Sequence, residues 1–190
     1  MKKTLASILM LALAVSALTG CGKPASDNSG SVITANDEGY AEGKLGDTMQ
    51  TYFFDYTVHS AYLCGEYQDY APAEGNDLLV ADVTVKNTSR GAITMYDTDF
   101  QIQWNDDADD AWDIPVTYYL SEDQGLGDDA LPSSYNLAVN QSRQGILVFE
   151  VPQGNTDFSL SYQEMFDTDN EAEAYGAVFF VYFTAKHPEP

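Results

Sequence analysis

Four aspartates fall within five positions, Asp106, Asp107, Asp109 and Asp110, and Asp113 follows just beyond. Two more acidic groups lie downstream, Glu122, Asp123, Asp128 and Asp129, then Asp167, Asp169, Glu171 and Glu173. Carboxylates gathered on loops can supply the oxygen ligands that a hard cation such as calcium requires. The Asp-Asp-Ala-Asp-Asp spacing lacks the glycine turn and the distal glutamate of an EF-hand. Two readings therefore stand side by side for Asp106, Asp107, Asp109 and Asp110: a calcium site, or a solvated loop tip needing no cofactor.

Nucleophilic chemistry is poorly provided for. The histidines are His59 and His187, and His187 sits in a Lys-His-Pro-Glu-Pro tail expected to fray. A cysteine nucleophile needs a histidine within hydrogen-bond reach. His59 and Cys64 are an odd number of positions apart, so a continuing strand would point them to opposite faces. There is no Gly-x-Ser-x-Gly, no His-Glu-x-x-His and no phosphate-cradling glycine loop. The expectation is a protein that is not an enzyme, with a carboxylate-pair hydrolase as the remaining catalytic alternative.

The N-terminus carries a different kind of chemistry. Lys2 and Lys3 precede an uncharged run from Leu5 to Leu18, which leads into Leu18-Thr19-Gly20-Cys21. This order is that of a secretory signal peptide, and the run is shorter than the roughly 20 residues of a membrane-spanning helix. Its ending resembles the lipobox of bacterial lipoproteins. That resemblance implies cleavage after residue 20 and a diacylglycerol on Cys21. Two acyl chains suffice for stable attachment, so the expected address is the extracellular face of the cell membrane. With Cys21 lipidated, Cys64 has no intrachain partner and reads as a small buried hydrophobe.

Charge narrows the partners. The 190 residues include 8 basic and 30 acidic ones, a formal charge of -22. Loss of residues 1–20 removes Lys2, Lys3 and no acid, so the mature charge is -24. Such a surface repels phosphate backbones and anionic head groups, which argues against nucleic acid as a partner. The abundance of Tyr (13) and Phe (9) favours strands over helices.

Gly22 to Gly46 is rich in Gly, Ser, Asp, Asn and Ala and reads as a flexible linker with an end-to-end distance on the order of 25–30 Å. From Asp47 a period of two takes over. Phe54, Tyr56, Val58 and Tyr62 alternate with polar residues, as do Leu79, Ala81, Val83 and Val85. Phe100, Ile102 and Trp104 follow, then Leu147, Phe149 and Val151, then Phe158, Leu160 and Tyr162, and Val178 to Phe183 closes the domain as an almost wholly apolar strand. Centring a hairpin on Ala108 predicts Trp104 opposite Trp112, Ile102 opposite Ile114 and Phe100 opposite Val116. The pair of tryptophans would pack in the core or offer an aromatic platform for a sugar, and Pro115 marks its strand as an edge.

Taken in order, several segments resemble a known family. They are Gly46-Asp47-Thr48, Leu79-Val80-Ala81-Asp82-Val83-Thr84-Val85-Lys86-Asn87, Asp99-Phe100-Gln101-Ile102, Gly145-Ile146-Leu147-Val148-Phe149-Glu150-Val151-Pro152-Gln153-Gly154 and Phe158-Ser159-Leu160-Ser161-Tyr162. They resemble the bacterial lipoprotein family numbered 4352 among domains of unknown function, whose fold is related to secreted immunoprotective antigens. The resemblance covers roughly Gly46 to Thr184 and implies an all-β, immunoglobulin-like antiparallel sandwich of about seven to nine strands. Val139-Asn140-Gln141-Ser142 stands where the family commonly has a Pro-Gly turn, and the loop from Leu120 to Tyr135 is longer and more acidic than usual.

The expected organisation is residues 1–20 as signal peptide, 21–46 as lipidated cysteine and linker, 47–186 as sandwich and 187–190 as tail. The expected function is a surface-tethered, non-enzymatic binding or accessory module that contacts an extracellular or envelope protein. The alternative is a calcium-dependent adhesion or structural domain.

Overall fold

The computed structural model describes residues 30–104, 111–120, 125–168 and 174–189. Within them lie twelve strands: β1 (Val32–Thr34), β2 (Tyr40–Lys44), β3 (Thr48–Gln50), β4 (Phe54–Cys64), β5 (Asn76–Asn87), β6 (Ile93–Tyr96), β7 (Phe100–Trp104), β8 (Trp112–Asp113), β9 (Ser134–Leu137), β10 (Ser142–Pro152), β11 (Asp157–Met165) and β12 (Tyr175–Thr184). Single 3₁₀ turns over Asp97–Asp99 and Val116–Tyr118 are the only helical pieces among the described residues.

Two five-stranded sheets run β1-β3-β4-β5-β10 and β2-β12-β11-β7-β8, and β6 pairs with β9 as a separate ribbon. The long strands reproduce an immunoglobulin order, with β4, β5 and β10 as A, B and E of one sheet and β7, β11 and β12 as C, F and G of the other. The expected all-β sandwich is therefore what forms. It is not purely antiparallel: β1 runs parallel to β3 and β2 parallel to β12.

Those parallel pairs correct the linker expectation. Residues 32–44 are strands that edge one sheet each, not a free tether. On β2 the inward positions are Ala41, which is buried, and Gly43. A Cβ on Gly43 would stand 2.7 Å from the Met49 sulfur, so the strand lies close because its inner face is almost bare. Gly46 turns the chain with φ +88. Asp47 then accepts hydrogen bonds from Ser31 N at 2.8 Å and Lys44 N at 3.1 Å, fixing β1 and the turn together.

The core forms where the period-two residues of the two sheets meet. Phe54, Tyr56, Val58, Leu79, Val83, Leu147 and Phe149 from one face pack with Phe100, Ile102, Leu160, Tyr162, Phe179 and Val181 from the other, all buried. Rings meet edge-on, Phe54 with Tyr162 at 4.7 Å and Tyr56 with Phe100 at 5.3 Å. Each such side chain contributes about 1.5–3 kcal/mol by leaving water.

A bulge between Val58 and Ser60 breaks the expected alternation in β4. Tyr62, expected inward, turns to the outer face, and Leu63 takes the core position. Outside the first sheet, Leu78, Val80 and Val148 meet Val116 and Leu126 in a second cluster that Cys64, Tyr67 and Tyr70 flank. The loop beginning at Leu120 is thus anchored by Leu126 and Leu131, both buried.

The tryptophan hairpin is displaced by one residue from the expected register: Ile102 opposes Asp113 and Gln103 opposes Trp112. Because the side-chain period is two, this slip separates the tryptophans. Trp104 packs against the core, while Trp112 stands on the outer face, 48% exposed. The slip follows from what comes next, since Val116 is drawn into the second cluster and Pro115 cannot extend a ladder. As expected from Pro115, β8 is an edge.

The chain end also differs from expectation. Leu63 N donates to Lys186 O, and His187 Nε2 lies 3.1 Å from Asp77 Oδ2, so residues counted as a frayed tail are docked. At the turn lacking Pro-Gly, Asn140 takes φ 64. Asparagine tolerates that region and does glycine's work there.

Candidate functional site

The aspartates Asp106, Asp107, Asp109 and Asp110 lie outside the described residues, as do Cys21, Glu122, Asp123, Asp169, Glu171 and Glu173. Asp128, Asp129 and Asp167 are described and exposed. Asp113 is engaged locally, accepting from Ile114 N at 2.8 Å and Tyr119 OH at 3.0 Å. Among the described residues no three His, Cys, Asp or Glu side chains are grouped to hold a metal ion.

The bulge in β4 revises the geometry of His59 and Cys64. Both now belong to the outer side of the first sheet, His59 beside Thr84 at 2.8 Å and Cys64 against the second cluster. Burial pushes the Cys64 thiol up, which disfavours the thiolate a nucleophile needs. His59 engages a threonine hydroxyl and not the sulfur.

What the fold does assemble is a wide face on the outside of the second sheet. Register places Tyr182, Ser159, Gln103 and Trp112 in one row across β12, β11, β7 and β8. The next row holds Glu42, Phe180, Ser161 and Gln101, a third holds Tyr40, Val178 and Gln163, and Lys44 extends the first row beyond Tyr182. Ser159 and Ser161 are buried between taller neighbours and form a floor. Their hydroxyls donate to Gln103 Oε1 at 3.3 Å and to the Gln101 carbonyl at 3.4 Å. Phe180 and Tyr182 stand nearly parallel, 5.9 Å apart and inclined by 20°. Tyr182 and Tyr40 are exposed.

The result is a trough with two depressions of about 550 and 560 Å³ that share Gln103. Its upper end is bounded by β6, Phe53, Met165 and Asp99. Behind that wall Glu164 is buried and accepts from Tyr52 N at 2.7 Å and Ala177 N at 3.1 Å. Burial raises the carboxyls of Asp97 and Asp99 above the usual carboxylate range. Asp97 accepts from the Thr117 hydroxyl, and its other oxygen is buried without a partner.

From Ser159 to Gln163, Gln101 to Gln103 and Val178 to Tyr182, no outward position carries a charge. The period-two pattern marks β7 and β11 by their inward residues, and β12 reads as an almost wholly apolar strand, but neither reading joins their outward residues into one face. The available signal was Val178, Phe180 and Tyr182, large residues on the side opposite to Phe179, Val181 and Phe183.

Solved structures show related folds. The yjhA protein of Bacillus subtilis is 16% identical, with a TM-score of 0.53 over 73% of this chain and 97% of its own. The ycdA protein of Bacillus subtilis strain 168, described as a candidate lipoprotein, is 15% identical with a TM-score of 0.49. That match covers 70% of this chain and 38% of ycdA, so this chain corresponds to well under half of that protein. An uncharacterized beta-sandwich protein of Clostridium difficile 630 is 10% identical, with a TM-score of 0.41 over 75% of this chain and 93% of its own. No curated protein matches the chain. The family profile described as Domain of unknown function (DUF4352) matches residues 43–172, most of the sandwich, and the chain belongs to that family.

Proposed function

We propose that this protein is a lipid-anchored, non-enzymatic binding module of the bacterial cell envelope, and that the outer face of the second sheet is its contact surface. The observation that carries this reading is a trough with an uncharged Ser-Gln floor and an aromatic rim, with Glu42, Lys44, Asp99 and Asp157 only at its margins, on a chain whose formal charge is -22. A broad exposed patch of large side chains is uncommon on a soluble monomer and marks a contact site. The outer side of the first sheet offers nothing comparable, being closed in part by the second cluster and elsewhere studded with Asp82, Thr84 and Lys86.

The leader supports the address. The Leu18-Thr19-Gly20-Cys21 ending resembles a lipobox, which supports a lipid anchor at Cys21, and no helix among the described residues is long and apolar enough to cross a membrane. With β1 starting at Val32, at most about 40 Å of extended chain separates Cys21 from the sandwich. The partner is therefore met close to the membrane surface.

The mature protein in detergent is expected to sediment with isolated envelopes of the producing cells. Phe180→Ala with Tyr182→Ala should reduce retention about tenfold or more, whereas Asp82→Asn should not. Equal retention of all three proteins would refute the assignment of the face.

A further inference from the structure

We infer that the trough on the second sheet takes a neutral polysaccharide. This rests on the preceding reading of that face as the contact surface, and it names the ligand's chemistry. The first observation is the distribution of polarity. Protein interfaces bury an apolar centre inside a polar rim. Here the order is inverted: the centre is Ser159, Ser161, Gln101 and Gln103, and the aromatic rings of Phe180, Tyr182 and Trp112 stand around it. A sugar chain presents C–H faces suited to rings and hydroxyl edges suited to amides, so an aromatic rim over a polar floor matches it.

The second observation is the hydrogen-bonding inventory. Each glutamine amide offers two donor hydrogens and an acceptor oxygen, the pairing that a hydroxyl, itself both donor and acceptor, can satisfy. Among the described residues the side chains of Gln101 and Gln163 have no partner, and the Gln103 amide nitrogen has none. Third, the floor from Ser159 to Gln163, Gln101 to Gln103 and Val178 to Tyr182 carries no charge, and the charged residues Glu42, Lys44, Asp99 and Asp157 stand at its margins. An anionic glycan would be repelled by the chain as a whole.

Size agrees. Three strand spacings separate β12 from β8, about 14 Å, and Val178 to Tyr182 spans about 13 Å along the strand. That area accommodates several sugar units.

The test uses the mature full-length protein in detergent, titrated calorimetrically with three neutral hexasaccharides: β-1,4-glucan, α-1,4-glucan and β-1,4-linked N-acetylglucosamine. At least one should bind with a dissociation constant of about 1 mM or tighter. Phe180→Ala should weaken that binding about tenfold. Gln101→Ala, a change at the surface that leaves the core intact, should weaken it several-fold. Asp82→Asn should leave it unchanged. No binding by any of the three sugars, or binding indifferent to both Phe180→Ala and Gln101→Ala, would overturn the inference. If envelope retention still depends on Phe180 and Tyr182 while the sugars fail, the ligand is a protein and the wider reading survives. If retention is also lost as a property of the wild type, both fall.

Discussion

Tyr56 and Tyr135 each bury a hydroxyl without a hydrogen-bond partner, and burial pushes the Tyr56 phenol far above its ordinary range. An unsatisfied buried polar atom costs about 1–3 kcal/mol. Tyr56→Phe should therefore leave the fold unharmed or stabilise it by about 1 kcal/mol in urea unfolding, and a loss of that size would show that the hydroxyl is in fact engaged. Asp97 makes a pH-dependent version of the same argument. Burial raises its carboxyl above the unfolded value, so its contribution is complete below the unfolded carboxylate range and is lost as pH rises through the folded value. Stability should therefore fall as pH rises from the unfolded carboxylate value, near 3.8, through the raised folded one. Asp97→Asn should flatten that slope, as followed by thermal unfolding across the range. An unaltered slope would assign it to general charge repulsion.

The elements that were legible in the sequence are those with large residues on one face and polar ones on the other, β5, β7, β10 and β11 among them. Their inward side chains carry most of the core. What escaped notice has specific causes. The inward residues of β2 are Ala41 and Gly43, too small to register as a period of two, so a strand read as a linker. The bulge in β4 consumes one residue and reverses Tyr62 and Cys64 with respect to Phe54. The tryptophan hairpin slips by one because Val116 has a better place in a distant cluster, which symmetry about Ala108 does not reveal. The candidate face was legible only in fragments, because its rows are made by pairing residues of five strands. The N-terminal strands give a direct prediction. Asp47→Ala removes the acceptor of two backbone amides, and should cost roughly 1.5–3 kcal/mol. Hydrogen exchange should show Ser31 and Lys44 amides losing protection first. Protection unchanged from the wild type would mean that β1 and β2 hold without the carboxylate.

The molecule as a whole combines a strongly acidic composition with one face whose floor is uncharged, and its first strand begins at Val32, eleven residues after Cys21. Such a charge repels phosphate backbones and anionic head groups, and the uncharged floor is where the proposed partner would approach without repulsion. Lipidation is checked separately: Cys21→Ser should abolish incorporation of a labelled lipid precursor, and undiminished labelling would remove the anchor from the account. Whether this face is the contact surface is tested directly by photocrosslinking on living cells. A benzophenone amino acid is placed at Phe180 in the full chain, and in a second strain at Thr84 on the outer side of the first sheet. The account predicts discrete adducts from position 180 and none from position 84. Adducts from position 84 alone, or from neither position, would contradict it.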